Sequence, residues 1–317
     1  MNKSDTILVT GAGGLVGSHV VDLLKAEGFG NVAALTHRDC DLTNFARTRD
    51  VFVDVLPKYV FHAAAVVYGI MGNMNNQGRS FLDNTRINCS VIDAAKEVGV
   101  EKITVMGTGA VYPAPPKSLP LKESEIFDGR PDPHEAGYGH AKRGMLAMLE
   151  AYETSYGLEW AYIVSCNLFG PRDKFDPVNG HVTPALVRKF FEAKRDGTPV
   201  TIWGDGSAQR DFLYVKDAAR VGLLAMEKIN GPVNMGSGNV YHIRDVVDAL
   251  SEISGVTDVR WDASKPNGQP YRGYDLTKLA LAGFQPEYTI PCGLKETWDW
   301  YVEQRRMDAA LDKIGVK

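Results

Sequence analysis

The chain has 317 residues, 44% of them hydrophobic and 23% charged, and carries a net charge of −4. This composition fits a globular protein of one large or two coupled domains, and it favours neither nucleic acid nor an anionic membrane as a partner. No apolar run approaches a bilayer span, the four cysteines lack metal-ligand spacing, and the first strand follows the N-terminus closely, so we expect no metal, reduced thiols and a cytoplasmic location.

The first half of the chain alternates short β-rich runs with helical patterns. Strands are predicted at 7–9, 32–35, 59–62, 103–106 and 160–164, and helices at 15–27, 46–55, 81–98 and 139–156. This alternation predicts an α/β fold of the Rossmann type, a doubly wound parallel sheet with its ligand at the carboxyl ends of the strands.

A glycine-rich turn separates the first predicted strand from the first helix. Gly11, Gly14 and Gly17 are spaced three apart, which permits a tight turn and close approach of the backbone to a pyrophosphate. Leu15 and Val16 open the helix, whose free N–H groups and dipole favour phosphate. A glycine-rich loop is also typical of a plain turn, but the flanking strand and helix favour a dinucleotide site.

From residue 169 onward, proline and glycine punctuate short elements. This change predicts a smaller C-terminal α/β portion for substrate recognition, with 212–214 and 218–226 returning to the nucleotide-binding part. We therefore assign 1–168 and 211–238 to an NAD(P)-binding Rossmann domain. Residues 169–210 and 239–317 are assigned to the substrate-binding portion.

Tyr138 and Lys142 stand one helical turn apart, on one face of a predicted helix. A phenol has a pKa near 10, and a neighbouring positive charge favours the phenolate. Such a tyrosine can exchange a proton with a sugar or alcohol oxygen while a hydride moves at the attached carbon. Thr108, at the carboxyl end of the strand 103–106, is a candidate to contact the same oxygen. Alternatively, it is a turn threonine, and the tyrosine–lysine spacing is a chance one.

Five ordered motifs resemble those of the extended short-chain dehydrogenase/reductases, the NAD-dependent epimerase/dehydratase family. They are the glycine segment 10–17, His62-Ala63-Ala64-Ala65, Thr108 with Val111-Tyr112, Tyr138-x-x-x-Lys142, and Asn167-Leu168-Phe169-Gly170-Pro171. The resemblance covers nearly the whole chain. It implies that Thr108, Tyr138 and Lys142 form a catalytic triad and that Asn88 supports a water-linked proton relay. It further implies cofactor contacts from the alanines at 63–65 and a substrate contact from Asn167.

A closer resemblance is to the GDP-L-fucose synthases, which are epimerase-reductases of a GDP-4-keto-6-deoxy-hexose. It is carried by the segments 181–190, with its G-H-V-x-P-A-L element, 203–206, 210–215, 234–238 and 265–268. It implies a sugar-nucleotide site formed by Lys189, Trp203, Arg210 and Lys265. Cations suit a diphosphate, and arginine adds a forked geometry. Each residue taken singly is equally compatible with a solvated charge or a packed aromatic.

One position departs from the fucose synthases. They carry a cysteine two residues after the triad hydroxyl, which pairs with a histidine to move protons at C3 and C5, whereas this chain has Ala110 there. The histidine is retained as His181. An alanine transfers no proton, and Cys166 is better interpreted as a buried strand cysteine than as a replacement. The sequence thus favours a C4-ketoreductase of a GDP-linked 4-keto sugar, with a full fucose synthase as the alternative.

The end of the second predicted strand bears on the cofactor. No acidic residue stands directly at the strand end to bind a ribose 2′-hydroxyl, and Arg38 is placed to meet a 2′-phosphate. Asp39 leaves NAD possible. The resemblance places Asp41 and Leu42 beside the adenine. We predict NADPH as the cofactor.

Two further classes of function stay open. A sugar-nucleotide 4-epimerase would retain NAD⁺, and a non-catalytic nucleotide-binding protein would use the scaffold alone. In every case the expected partner is a small nucleotide sugar. The resemblance also implies a homodimer formed through the helices around Tyr138 and the segment 81–98.

Overall fold

The computed structural model describes residues 1–177, 180–265 and 269–313. The strands are β1 (Thr6–Thr10), β2 (Asn31–Leu35), β3 (Tyr59–His62), β4 (Lys102–Met106), β5 (Glu159–Ser165), β6 (Asn167–Phe169), β7 (Val200–Trp203), β8 (Gln209–Tyr214), β9 (Gly231–Met235), β10 (Val240–His242), β11 (Val259–Asp262) and β12 (Tyr271–Arg272). The helices are α1 (Leu15–Ala26), α2 (Phe45–Val55), α3 (Ile70–Asn75), α4 (Gln77–Glu97), α5 (Ala136–Tyr156), α6 (Val182–Asp196), α7 (Val215–Lys228), α8 (Ile243–Ser254), α9 (Thr277–Leu281) and α10 (Ile290–Lys313).

A six-stranded sheet of order β2-β1-β3-β4-β5-β9 forms the centre of the molecule, and every neighbouring pair in it is parallel. Helix α1 packs against α7, while α2, α4 and α5 pack in succession. The inner strands are near-continuous apolar runs because parallel strands covered by helices are buried on both faces. The predicted fold class is confirmed, and the carboxyl ends of β1, β3, β4 and β5 meet along one edge.

The second half of the chain builds smaller sheets and a second apolar cluster. Strands β10, β8 and β12 form one sheet, with β6 pairing on β8, and β7 pairs with β11. A buried cluster joins α6, α8 and α10 to these strands, with Phe190, Leu250 and Leu294 at its centre. Thus β6, β8 and the helices frame the edge at which the central strands end.

The structure differs from one expectation about this region. Residues 212–214 lie in β8, which belongs to the smaller sheet and not to the central one. Helix α7 and strand β9 are the elements that return to the central sheet. The apolar pattern of 212–214 does not reveal which sheet the strand joins. Leu213 packs into the main core, while Phe212 and Tyr214 pack into the second core. The domain boundaries given above stay a prediction.

Within the described ranges, no helix is long and apolar enough to cross a membrane. In the same residues, no group of three or more histidine, cysteine, aspartate or glutamate side chains is arranged to hold a metal ion.

Candidate active site

The glycine-rich turn is a closely packed backbone cradle. Gly11 has a φ of 69°, and a Cβ on it would lie 2.7 Å from the Ala64 nitrogen. A Cβ on Gly17 would overlap the Gly11 carbonyl oxygen. Gly14 precedes α1, and its N–H donates to the Gly11 carbonyl at 2.9 Å. The turn therefore places the N-terminus of α1, beginning at Leu15, against the chain that follows β3, which fits a dinucleotide diphosphate.

Buried polar groups run behind this cradle. The His62 Nδ1 lies 2.7 Å from the Thr10 hydroxyl, and its Nε2 lies 3.4 Å from Asn88 Oδ1. The Asn88 amide in turn donates to the Ala141 carbonyl of α5 at 3.4 Å. Burial lowers the pKa of His62 to about 3, helped by the charge of Lys142, so its imidazole is neutral. Asn88 thus links His62 of β3 to α5 through hydrogen bonds.

Tyr138 and Lys142 both lie on the buried face of α5. Lys142 is 1% exposed and its ammonium donates to the Met106 carbonyl at the end of β4, at 2.8 Å. The same Nζ lies 5.9 Å from the centre of the Tyr138 ring. This anchor fixes the helix to the strand end that carries Thr108. The sequence-predicted triad is therefore brought to one edge of the sheet.

Burial governs the protonation of this pair. It raises the pKa of Tyr138 above its ordinary value, with a further increase from Glu135, and it lowers the pKa of Lys142 to about 7. The expectation that the lysine lowers the phenol pKa is therefore wrong for the folded chain, because desolvation and the charge of Glu135 both raise that pKa. A phenol that keeps its proton is suited to donating it to an oxygen.

Thr108 and Asn167 lie at the carboxyl ends of adjacent strands. Thr108 is half-buried, and its hydroxyl oxygen accepts the Ala110 N–H at 3.2 Å, which caps a short 3₁₀ turn. The Ser165 hydroxyl donates to the Gly107 carbonyl at 3.3 Å and ties the two strand ends together. Asn167 begins β6 directly beyond. Thr108 is thus a turn residue, and its hydroxyl hydrogen has no acceptor among the residues that the structure describes, so it is available for a ligand oxygen.

Arg38 and Asp39, which follow β2, are in different environments. Arg38 is exposed, whereas the Asp39 carboxylate turns back and accepts from the Thr36 N–H and hydroxyl at 2.8 and 2.6 Å. Asp41 is likewise engaged, since it accepts from Thr43. A cation is therefore presented at this strand end, and the nearest carboxylate is already bonded.

Leu42 is 7% exposed and packs in the main core, next to the loop that follows β2. This burial limits how much of its side chain an adenine ring meets, so the predicted adenine contact of Asp41 and Leu42 stays a prediction.

Two of the sequence-predicted substrate residues, Lys189 and Lys265, lie beside the indole of a third, Trp203. Trp203 is 53% exposed at the end of β7, and the Nζ atoms of Lys189 and Lys265 lie 6.0 and 5.9 Å from its ring centre. Lys189 also donates to the Thr201 carbonyl at 2.9 Å, which holds its stem along the strand. The arrangement offers a flat apolar surface with two cations at its rim, as a nucleotide base and its diphosphate require.

Two guanidinium groups meet on the smaller sheet. Arg210 of β8 and Arg272 of β12 are register partners in parallel strands, and burial together with Arg272 lowers the pKa of Arg210 to about 10. Arg272 forms an ion pair with Glu135 at 3.2 Å. Its Nε also donates a hydrogen bond to Gln269 Oε1 at 3.1 Å. Sequence reasoning found Arg210 but missed Arg272, although the arginine follows the recognised segment 265–268 by only a few residues.

Glu135 shows that these groups share one site. Its charge acts to raise the pKa values of Tyr138, His181, Arg210 and Arg272, although burial and Arg272 still lower the pKa of Arg210 overall. Sequence reasoning missed this carboxylate too. Its position three residues before Tyr138, at the start of α5, was the available signal.

His181 stands at the N-terminus of α6 and is about half exposed. Its Nδ1 lies 3.9 Å from a carboxylate oxygen of Asp173, which raises the pKa of the imidazole. The charge of Glu135 also raises the pKa of His181. Among the described residues, however, no direct contact joins His181 to the triad. Its catalytic role stays a prediction.

Comparison with known proteins agrees with this architecture. A GDP-L-fucose synthase 1 of Arabidopsis thaliana is 38% identical over 309 residues, which cover 95% of this chain and 94% of that protein. A GDP-6-OMe-4-keto-L-xylo-heptose reductase from C. jejuni superposes with a TM-score of 0.89 at 27% identity, covering 96% of this chain and 99% of that one. A GDP-L-fucose synthetase from Naegleria fowleri bound to NADP gives a TM-score of 0.89 at 27% identity and 96% coverage of both chains.

The family model described as the NAD dependent epimerase/dehydratase family matches residues 7–243, which span β1 to the start of α8. This match includes the glycine cradle, the triad and the paired strands that position them. The predicted enzyme class, an NAD(P)-dependent oxidoreductase of the extended short-chain type, is confirmed with it. By its sequence and its fold, the chain belongs to the NAD dependent epimerase/dehydratase family.

Proposed function

We propose that this protein is an NADPH-dependent C4-ketoreductase of a GDP-linked 4-keto sugar. Support comes from the intact reductive triad, from the cation-flanked indole and paired guanidiniums, and from relatives whose names describe GDP-sugar synthases and a GDP-keto-heptose reductase. The division between a cofactor-binding part and a sugar-nucleotide-binding part belongs to the same proposal.

The reaction uses this chain's residues in separate roles. NADPH, held at the glycine cradle and the N-terminus of α1, supplies a hydride to C4 when bound. The Thr108 hydroxyl and the Tyr138 hydroxyl hold the C4 oxygen, and Tyr138 donates the proton that completes the alcohol. Lys142, anchored on the Met106 carbonyl, fixes the tyrosine-bearing turn of α5 and keeps a cationic group beside it. The guanidiniums of Arg210 and Arg272 bind the diphosphate.

The observation that carries the reductase proposal is the lack of a second acid–base group at position 110. Ala110 is 3% exposed and offers only a methyl group. The remaining candidate sulfur, Cys166, is buried, and burial raises the pKa of its thiol well above the ordinary value. A thiol that does not ionise is a poor base for a carbon acid. Proton exchange at both C3 and C5 therefore lacks one partner.

Reduction in D₂O tests the proposal directly. The enzyme is incubated with NADPH and GDP-4-keto-6-deoxy-mannose, and the product is identified by NMR. We expect inversion at neither C3 nor C5 and no deuterium at those carbons. Deuterium at both carbons with the L-configuration would instead identify a full GDP-L-fucose synthase.

The full synthase is the second candidate because His181 is retained and Asp173 raises its pKa, as an acid–base histidine requires. For a pure reductase, His181→Ala lowers the rate far less than loss of the Tyr138 hydroxyl does. An NAD-retaining 4-epimerase would yield NAD⁺ in a perchloric-acid extract of the purified protein. A non-catalytic protein would bind cofactor yet turn over no 4-keto sugar.

The preferred cofactor in this proposal is NADPH. Arg38 is exposed at the end of β2 while Asp39 is bonded within its own loop, so a 2′-phosphate meets a cation and no free acid. Arg38→Ala should weaken NADPH binding about tenfold or more and leave NADH binding within about twofold, since only NADPH carries the phosphate. Titration of both cofactors by tryptophan fluorescence measures this, and equal weakening of the two would refute the assignment.

A homodimer is also proposed, through α4 and α5. These helices expose Phe81 and Leu82, at 44% and 41%, and Tyr156 at 58%. Exposed apolar side chains at both ends of this helix pair favour association with a second copy. Light scattering coupled to size exclusion should give twice the chain mass for the wild type and a single chain mass for Phe81→Glu.

A further inference from the structure

The side chain of Tyr274 occupies the space beside the catalytic threonine. A Cβ on Gly109, the residue after Thr108, would overlap the Tyr274 hydroxyl. The Tyr274 ring lies 6.2 Å from that of Tyr112, tilted by 55°. Gly109 therefore lacks a side chain where the phenol reaches the end of β4.

The backbone on both sides of Tyr274 is fixed. The Leu121 N–H donates to the Gly273 carbonyl at 2.9 Å, and the Asp275 N–H donates to the Leu121 carbonyl at 2.8 Å. Asn234 adds a bond from its amide to the same Leu121 carbonyl at 2.9 Å. The backbone that carries Tyr274 is thus fixed to Leu121 on both sides, and Leu121 is itself bonded to Asn234.

Within the described part of the chain, the Tyr274 hydroxyl has no hydrogen-bond partner. Tyr274 is only 7% exposed, yet its hydroxyl makes no hydrogen bond to residues 1–177, 180–265 or 269–313. It is also not among the polar atoms of these ranges that are sealed from solvent without a partner. A buried tyrosine hydroxyl usually finds a partner. A ligand bound beside Gly109 would supply that partner.

The surroundings of this hydroxyl belong to the candidate site. Tyr274 follows Arg272 of β12 by two residues, and Arg272 is the register partner of Arg210 on β8. The phenol thus stands between Thr108, which holds the reacting oxygen, and the two guanidiniums proposed for the diphosphate. A sugar bound with its C4 oxygen at Thr108 and its C1 phosphate at the arginines would carry its C2 and C3 hydroxyls between these ends. The C3 hydroxyl is the one beside the reacting carbon, on the side where the Tyr274 hydroxyl lies against Gly109.

We infer that Tyr274 is a substrate-contacting residue whose hydroxyl hydrogen-bonds the C3 hydroxyl of the sugar and so selects 3-hydroxy over 3-deoxy substrates. The inference rests on the proposed C4-ketoreductase function. Tyr274 positions the sugar and moves no proton, because the proposed reduction transfers a proton only to the C4 oxygen, from Tyr138. Its role therefore fits an enzyme that leaves C3 unchanged.

The test compares two substrates, GDP-4-keto-6-deoxy-mannose and its 3-deoxy counterpart, by kcat/KM with NADPH. The wild type should prefer the 3-hydroxy substrate by about 5- to 30-fold, the range for one buried hydrogen bond whose partner is otherwise left unmet. Tyr274→Phe should reduce the preference to below about twofold, mainly through a higher KM for the 3-hydroxy substrate. Tyr59→Phe is the matched control, because it removes a hydroxyl bonded to Glu101 at 2.7 Å at the opposite end of the sheet.

A second variant disturbs the Tyr274 hydroxyl by changing Gly109, the residue that it lies against. Gly109→Ala places a methyl group where the Tyr274 hydroxyl lies, so it should lower the preference as Tyr274→Phe does. Combining the two should cost little more than either alone, because both remove one contact. An unchanged preference in Tyr274→Phe, with Tyr59→Phe also unchanged, overturns this inference only. Failure of the wild type to reduce either substrate overturns the proposed function itself.

Discussion

At the scale of single residues, burial decides the chemistry of the site. Tyr138 keeps its proton because it is desolvated, and Lys142 is anchored on a carbonyl and not on the phenol. The spacing of the two residues predicted their shared helix face, but the pKa direction followed from burial, which the spacing does not contain. Desolvation and the charge of Glu135 both raise the pKa of Tyr138, and both depend on the folded structure.

Tyr138→Phe removes the proposed proton donor. We expect kcat to fall at least about a hundredfold, the usual scale for a general acid, while NADPH affinity changes little. Steady-state kinetics with a 4-keto sugar, paired with cofactor titration, measure both quantities. A variant that keeps more than half of the wild-type rate would remove Tyr138 from the mechanism.

His62 makes the stability of the fold depend on pH. Its pKa is about 3 in the folded chain against 6.5 when unfolded, so below pH 6.5 only the unfolded chain takes up the proton. The contribution is present above pH 6.5 and is lost progressively as the pH falls towards 3. Between pH 7.5 and 5 the wild type should lose about 2 kcal/mol through this group. Urea unfolding should give a flatter dependence for His62→Gln, and an equal slope in both proteins would count against the assignment.

At the scale of elements, the strands and helices of the first half follow the sequence pattern closely. The predicted strand 59–62 coincides with β3, and the predicted helix 46–55 falls one residue inside α2. Continuous apolar runs and helical periodicity are local signals, so they fix local structure. The pairing of β8 was not predictable in this way, because its two faces serve two different cores.

Asp217 clamps α7 to the segment that leads into α10. Its buried carboxylate accepts the N–H groups of Glu287 and Tyr288 at 3.0 Å and pairs with Arg220 at 2.7 Å. Asp217→Asn turns an amide N–H towards these donors and should cost about 2 kcal/mol or more of unfolding free energy. Asp258→Asn, in an exposed pair, should change stability by less than about 0.5 kcal/mol. Chemical denaturation compares the two, and equal effects would argue against the clamp.

At the scale of the whole molecule, polar contacts join the catalytic helix to the C-terminal part. Gln269 donates to Asp132 at 2.9 Å, and Arg272 bonds both Gln269 and Glu135. Asp132 and Gln269, like Glu135 and Arg272, are 137 residues apart in sequence, so no local motif predicts these contacts. For this reason the triad and the glycine cradle were predictable, whereas Glu135, Arg272 and Tyr274 emerged only from the fold.

Arg272→Met breaks this connection and removes a cation from the cleft. We expect the KM for the sugar nucleotide to rise about tenfold or more, because a charge-assisted contact is lost, while NADPH affinity stays the same. Arg260→Met, in an exposed pair on β11, is the matched control and should leave both constants unchanged. A rise in the NADPH dissociation constant of Arg272→Met equal to the rise in KM would show general unfolding and contradict the proposed role.

The position of β9 has a consequence for biosynthesis. This strand closes the central sheet on β5, yet it begins at Gly231, after α6, β7, β8 and α7 have been made. On the ribosome, a nascent chain shorter than this leaves β5 as an open, hydrophobic edge, which is a template for pairing with other chains. Premature termination before Gly231 should therefore give aggregating fragments, and the six-stranded sheet is completed only once most of the polypeptide has emerged.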